Sequence, residues 1–234
     1  MSKGGTHMAY ELPKTYRWIR HEPGAKLLRR ILRPIARLTS FVYCRCILHI
    51  TVENQEALKA MRFRGCFLFG NHNHIPGDGF IPIYLNGAKP ADILTDADIL
   101  ETPYLGPLMP YIGMLPIPTN LRYINRLRSA ININLHRAHT IVIYPEGKNI
   151  DFCPEIRPFH KTSFRFAVEN NAPCYSFTTT FQPRKNGQPK ATVYIDGPFT
   201  VPPNISRKEQ QELLMKQIHQ KMTERLQNNT YKAN

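Results

Sequence analysis

Acidic residues are scarce in this sequence: 17 Asp and Glu stand against 31 Lys and Arg, a formal net charge of +14 over 234 residues. Solubility alone does not call for so large an excess of one sign. It suits an anionic partner, whether nucleic acid, an acidic membrane surface or a phosphorylated substrate. Cysteines are few and scattered, at 44, 46, 66, 153 and 174. An odd set without a C-x-x-C pair argues against a disulfide framework and a zinc ribbon, and suits a reducing compartment. No stretch of about 18 uncharged apolar residues exists, so no spanning helix is expected. The longest candidate, 38–52, is interrupted by Arg45 and His49. The opening MSKGGTHMAYELPK lacks the apolar core of a signal peptide, and Met8 is an alternative start. Internal repeats, low-complexity tracts and a linker long enough to divide the chain are also missing. So are RNP-type, zinc-finger and helix-turn-helix signatures, and a nucleic-acid partner is not expected. What remains is 42% hydrophobic, enough for a packed core.

In residues 18–50, Lys26, Arg29, Arg30, Arg33 and Arg37 interleave with Leu27, Leu28, Ile31, Leu32, Ile35 and Leu38. This spacing predicts a basic amphipathic helix, kinked or restarted at Pro34. Such a helix either lies in a bilayer interface with its cations near lipid phosphates, or packs on the domain with a solvated basic face. The nearby Tyr10, Tyr16 and Trp18 favour the interface. Residues 47–53 predict a strand, and Asn54 a cap for a helix through Met61. A helix is expected over 78–85 and a strand over 91–95. The segment 104–119 is too rich in Pro and Gly for a long helix and predicts a hydrophobic loop, then a strand over 114–117. Asn120 caps a predicted helix over 121–137, with Ile124, Leu127, Ile131 and Leu135 on one face. A helix over 162–170 and strands over 173–181 and 191–199, joined by a turn, follow. Ser206 and Glu209 form a capping box for a last helix carrying Leu214, Ile218, Met222 and Leu226, after which 227–234 should fray. Strands alternating with helices predict an α/β fold: a single domain over 51–234 with a mixed, mostly parallel sheet flanked by helices, preceded by a membrane-associating helical segment over 1–50.

Two strand ends carry ionisable groups. The apolar run Cys66-Phe67-Leu68-Phe69 breaks into a loop holding His72, His74 and Asp78, with a helix start expected at Asp78. The β-branched run TIVIY at 140–144 ends in Pro145-Glu146-Gly147-Lys148. Buried strands that deliver such residues to loops at one end of a sheet are a common way to build a site. His-x-His at a strand end also suits zinc, as in a zinc-dependent hydrolase. The remaining loose ligands would be His136, His139 and His160, none at metal spacing, so no metal is expected.

Taken together, NHNHIPGD, YIGMLPIP, IYPEG and NNAPCYSF stand in the order of the four blocks of the glycerophospholipid acyltransferase superfamily, of the lysophosphatidic acid acyltransferase type. RPFHKTSFRFAVENNAP resembles that family's Pro-Phe-Lys-x-Gly helix start. The resemblance covers about 33–181 and implies a glycerol-3-phosphate acyltransferase-like fold. It implies transfer of an acyl group from acyl-CoA or acyl carrier protein to the hydroxyl of a lysophospholipid, 1-acyl-glycerol-3-phosphate foremost. No cofactor beyond that co-substrate is implied. The enzyme would work peripherally or monotopically on an anionic membrane at its cytoplasmic face. His72 would be the general base and Asp78 its partner, with His74 the alternative base. The family places four residues between His and Asp; here five separate His72 from Asp78 and three separate His74 from it. Glu146 and Gly147 match the family's Glu-Gly pair. A carboxylate does not pair with phosphate, so Glu146 is expected to orient a hydroxyl, an amide or a basic side chain. Lys148-Asn149 replaces the family's Thr-Arg, and Thr119 stands where an Arg is usual. Phosphate binding therefore falls to Lys148, Arg122, Arg157 or Lys161. The altered spacing also allows a lipid-binding pseudoenzyme.

Overall fold

The apolar run CFLFG becomes the centre of the sheet. In the computed structural model, which describes residues 10–231, the strands are β1 (Thr51–Glu53), β2 (Cys66–Gly70), β3 (Ala91–Asp96), β4 (Met114–Ile117), β5 (Thr140–Ile143), β6 (Cys174–Pro183) and β7 (Pro189–Phe199). The helices are α1 (Pro23–Val42), α2 (Gln55–Met61), α3 (Gly77–Asn86), α4 (Met109–Ile112), α5 (Ile124–His136), α6 (Arg165–Asn170) and α7 (Arg207–Leu226). Strand order is β1-β7-β6-β2-β5-β3-β4. All pairings are parallel except the β6–β7 hairpin. This is one α/β domain with a mostly parallel sheet flanked by helices.

Every residue of β2 and β5 is buried, as a parallel strand covered on both faces requires. Their side chains alternate between two cores. Cys66, Leu68 and Val142 pack with Ala57, Leu58 and Met61 of α2 and with Ile81 and Leu85 of α3. Phe67, Phe69, Ile141 and Ile143 pack with Leu127 and Ile131 of α5 and Leu214, Ile218 and Met222 of α7. The Ser206–Glu209 capping box starts α7 as expected.

Several local expectations give way to tertiary contacts. Pro34 does not break α1: it sits on the exposed side of the helix, away from the packed face. The chain then passes through a π-helical turn, Tyr43–Ile47, where the strand was expected to begin. Asn54 precedes α2 but does not cap it; it is left-handed (φ 58°) and its amide donates to the carbonyl of Ile195. The 104–113 stretch is not a plain loop but two short helical turns, Gly106–Leu108 and α4. The tail is docked as far as Tyr231: the amides of Thr230 and Tyr231 donate to Phe181 O, and the Tyr231 ring rests on Phe152. Met8 and residues 232–234 lie outside the described residues.

α1 packs on α3 and α4 with its apolar side turned outward, and not with a solvated basic face alone. Ala25 and Ser40 face the protein. Arg29 donates to Arg20 O at 2.8 Å and Arg33 pairs with buried Asp92 at 3.4 Å. Two arginines expected at lipid headgroups are thus bonded to the protein. The outward face carries Leu27, Ile31, Ile35, Leu38 and Val42, each about half exposed. Their spacing of three or four residues makes one continuous apolar stripe. No described helix is long and apolar enough to cross a membrane.

Candidate active site

Parallel strands put their C-terminal ends on one edge, so the segments after β2 and β5 meet. Gly70 closes β2 because nothing larger fits: a Cβ there would lie 2.3 Å from the Phe177 ring and 2.8 Å from that of Tyr144. The loop that follows is clamped to β6. Asn71 donates to Thr179 O at 3.0 Å and accepts from Thr179 N at 2.8 Å, and Asn73 donates to the same carbonyl at 3.1 Å. Asp78 arrives from the first turn of α3, with its amide donating to His74 O at 2.8 Å. The fold therefore absorbs the extra residue between His72 and Asp78 as a turn.

His72 Nδ1 lies 2.6 Å from Asp78 Oδ2. The carboxylate is buried, and the imidazole is about one-fifth exposed. The ring stacks on Tyr144 with centroids 4.6 Å apart, and the Tyr144 hydroxyl donates to the backbone carbonyl of Asp78. Burial holds that phenol well above its ordinary range, so it remains a donor. Nε2 of His72 has no hydrogen-bond partner among the described residues. His74 is placed differently. It is buried against Phe152 and Phe181, and its Nδ1 accepts from Gly77 N at 3.3 Å. Burial lowers its proton affinity, against the pull of Asp78 and Asp151.

Glu146 enters from the turn after β5. Its Oε1 accepts the His72 amide at 2.9 Å and its Oε2 accepts Arg157 Nε at 2.7 Å. Burial raises this carboxyl above its usual range, opposed by those two donors. Glu146 thus bridges a backbone amide and a guanidinium.

A profile of the acyltransferase family matches residues 49–180, more than half of the chain and all of this site. The chain belongs to the acyltransferase family. Its fold is similar to the crystal structure of the 1-acyl-sn-glycerophosphate (LPA) acyltransferase PlsC from Thermotoga maritima. That likeness has a TM-score of 0.57 and 15% sequence identity, and spans 90% of this chain and 85% of the other. At that identity it speaks for the fold. A comparison with curated proteins gives no match.

The four basic residues expected at a phosphate are scattered in this acyltransferase. Arg157 is spent inside: besides Glu146, its NH2 donates to His72 O at 3.1 Å and to Lys148 O. Lys161 pairs with Glu212 of α7 at 2.9 Å. Arg122 is exposed beyond β4, three strands from β2 and so about 14 Å away across the sheet. Lys148 is exposed beside the dyad with no acidic partner among the described residues. Gly147, at φ +80°, makes the turn that a side chain would strain, and His160 Nε2 lies 3.0 Å from where its Cβ would be. His139 belongs to a separate cluster at the other end of the strands, bonded to Asp92 at 2.5 Å, and His136 Nδ1 meets Asn132 O. No group of three or more His, Cys, Asp or Glu gathers at metal-binding distance among the described residues.

The reading of the residues missed Tyr144 and Asn149. Tyr144 was visible only as the end of a strand, and Asn149 only as a departure from Thr-Arg. Arg157→Ala is expected to act on the fold of the site rather than on substrate affinity. It strips the partner from a buried carboxylate, a loss of about 3 kcal/mol. Urea unfolding should show that loss, with kcat lowered and both KM values nearly unchanged.

Proposed function

We propose that this acyltransferase moves a fatty acyl group from an acyl thioester, acyl-CoA or acyl carrier protein, to the hydroxyl of a lysophospholipid, foremost 1-acyl-glycerol-3-phosphate. The observation that carries the reading is His72 Nδ1 at 2.6 Å from a buried Asp78 carboxylate, with Nε2 unengaged. Asp78 fixes the tautomer that leaves a lone pair on Nε2. The acceptor hydroxyl gives its proton to Nε2 as its oxygen attacks the thioester carbonyl, and Asp78 stabilises the imidazolium. Collapse of the tetrahedral adduct breaks the C–S bond, and the departing thiolate takes the proton back. His72 and Asp78 are the catalytic residues in this reading; Glu146 and Arg157 hold the His72 backbone. No cofactor enters.

Exposed Ile75 and Ile150 flank the His72 loop and suit an acceptor with an acyl chain. The outward stripe of α1 suits peripheral attachment to an anionic membrane at the cytoplasmic face, with exposed Lys26 and Arg30 beside it. Lys148 is the best placed cation for an acceptor phosphate. Lys148→Ala should raise the acceptor KM roughly five- to tenfold, the worth of one charge-assisted contact, and leave the acyl-donor KM alone. Equal rises in both KM values would remove Lys148 from the acceptor site.

A further inference from the structure

Three donors converge on one oxygen of Asp78. His72 Nδ1 lies 2.6 Å from Oδ2, the Asn149 side-chain nitrogen 2.8 Å and the His74 backbone amide 3.2 Å. The other oxygen, Oδ1, is buried with no partner among the described residues. Asn149 Nδ2 is also 3.4 Å from His72 Nδ1. A carboxylate only accepts, so Asn149 must present its NH2 there and not its oxygen. The residue is held in place by its own loop: Ile150 N donates to His72 O at 3.4 Å and Phe152 N to Asn73 O at 2.8 Å, laying the 149–152 segment along the histidine loop.

We infer that Asn149 is a positioning residue for the dyad, holding the Asp78 carboxylate aimed at His72 Nδ1. The inference rests on the reading of His72 as base. A neutral donor suits this place. It steadies the carboxylate without adding a cation, which would draw the charge of Asp78 away from the imidazolium that forms during transfer. The other polar and charged groups around the pair are Glu146 at the His72 amide, Arg157 at the His72 carbonyl, Tyr144 under the ring, His74 and Asp151 along the loop, exposed Lys148 next to Asn149, and Tyr43 from the turn after α1.

The test is an NMR titration of the His72 imidazole in wild type, Asn149→Ala, Asn149→Asp and Asn149→Gln, with the signal assigned by its loss in His72→Gln. An Asp78 free to turn away from Nδ1 supports the imidazolium less well. The Asn149→Ala midpoint should therefore move to lower pH by roughly half a unit to one unit, while Asn149→Asp, which adds a negative charge beside the ring, should move it to higher pH. Asn149→Gln, which keeps the amide, should return toward wild type. In parallel, Asn149→Ala should lower kcat about tenfold with the acceptor KM nearly unchanged. Identical midpoints in wild type, Asn149→Ala and Asn149→Asp would overturn the inference, as would a raised acceptor KM with kcat intact. If the wild type transfers no acyl group, the proposed function fails, and the titration still decides the role of Asn149.

Discussion

In the His72→Ala protein, acyl transfer is expected to fall by roughly 100- to 10,000-fold, the usual contribution of a general base. His72 holds an imidazole whose Nδ1 meets a buried carboxylate and whose ring is about one-fifth exposed. Asp78→Asn should cost a comparable factor, because an amide there can present its NH2 to Nδ1 and stabilise the wrong tautomer. His74→Ala should cost much less in rate. Its ring is packed between Phe152 and Phe181 and its Nδ1 accepts a backbone amide, so its loss leaves a cavity rather than an idle dyad. An inactive His74→Ala beside an active His72→Ala would reverse the assignment.

The parts of this structure that were legible in the sequence are those governed by short-range pattern. CFLF and TIVI read as buried strands because runs of apolar and β-branched residues suit strands covered on both faces. Ser206 and Glu209 announced α7 because a capping box closes within four residues. The histidine loop was legible because its order relative to IYPEG carries information beyond either motif alone. What the sequence hid was set by partners far along the chain. Asn54 looked like a helix cap and instead donates to Ile195. The tail looked free and instead pairs with Phe181. Arg157 looked like a phosphate ligand, yet it is the tie that holds Glu146 and the His72 carbonyl together. Charge and spacing alone do not say whether an arginine meets a substrate or a buried glutamate.

The same blindness applied to α1, and it changes the membrane experiment. Charge reversal at Arg33 would break its pair with Asp92 and confuse folding with binding. The informative variant replaces Leu27, Ile31 and Leu38 of the outward stripe with Asp. These side chains are 58%, 50% and 64% exposed, so each has surface left to bury in lipid. At about 1 kcal/mol apiece, their loss should lower partition onto anionic vesicles by more than about 100-fold, and the new charges lower it further. Reversing Lys26 and Arg30 should weaken binding less, by about 1 kcal/mol each, and only at low salt. The triple variant should still turn over a water-soluble short-chain acceptor, since Leu27, Ile31 and Leu38 lie on the outward side of α1. If it sediments with vesicles as fully as wild type, the stripe is not the membrane contact; a gel-filtration shift from dimer to monomer would then make it an interface between copies of the chain.

The decisive measurement is thiol release from a long-chain acyl-CoA by the purified protein, with and without 1-acyl-glycerol-3-phosphate. Free thiol is expected only when the acceptor is present, with one doubly acylated lipid formed per thiol released and both products lost in His72→Ala. Thiol release that ignores the acceptor and yields free fatty acid, or an acceptor-dependent reaction that survives in His72→Ala, would contradict the proposed reaction.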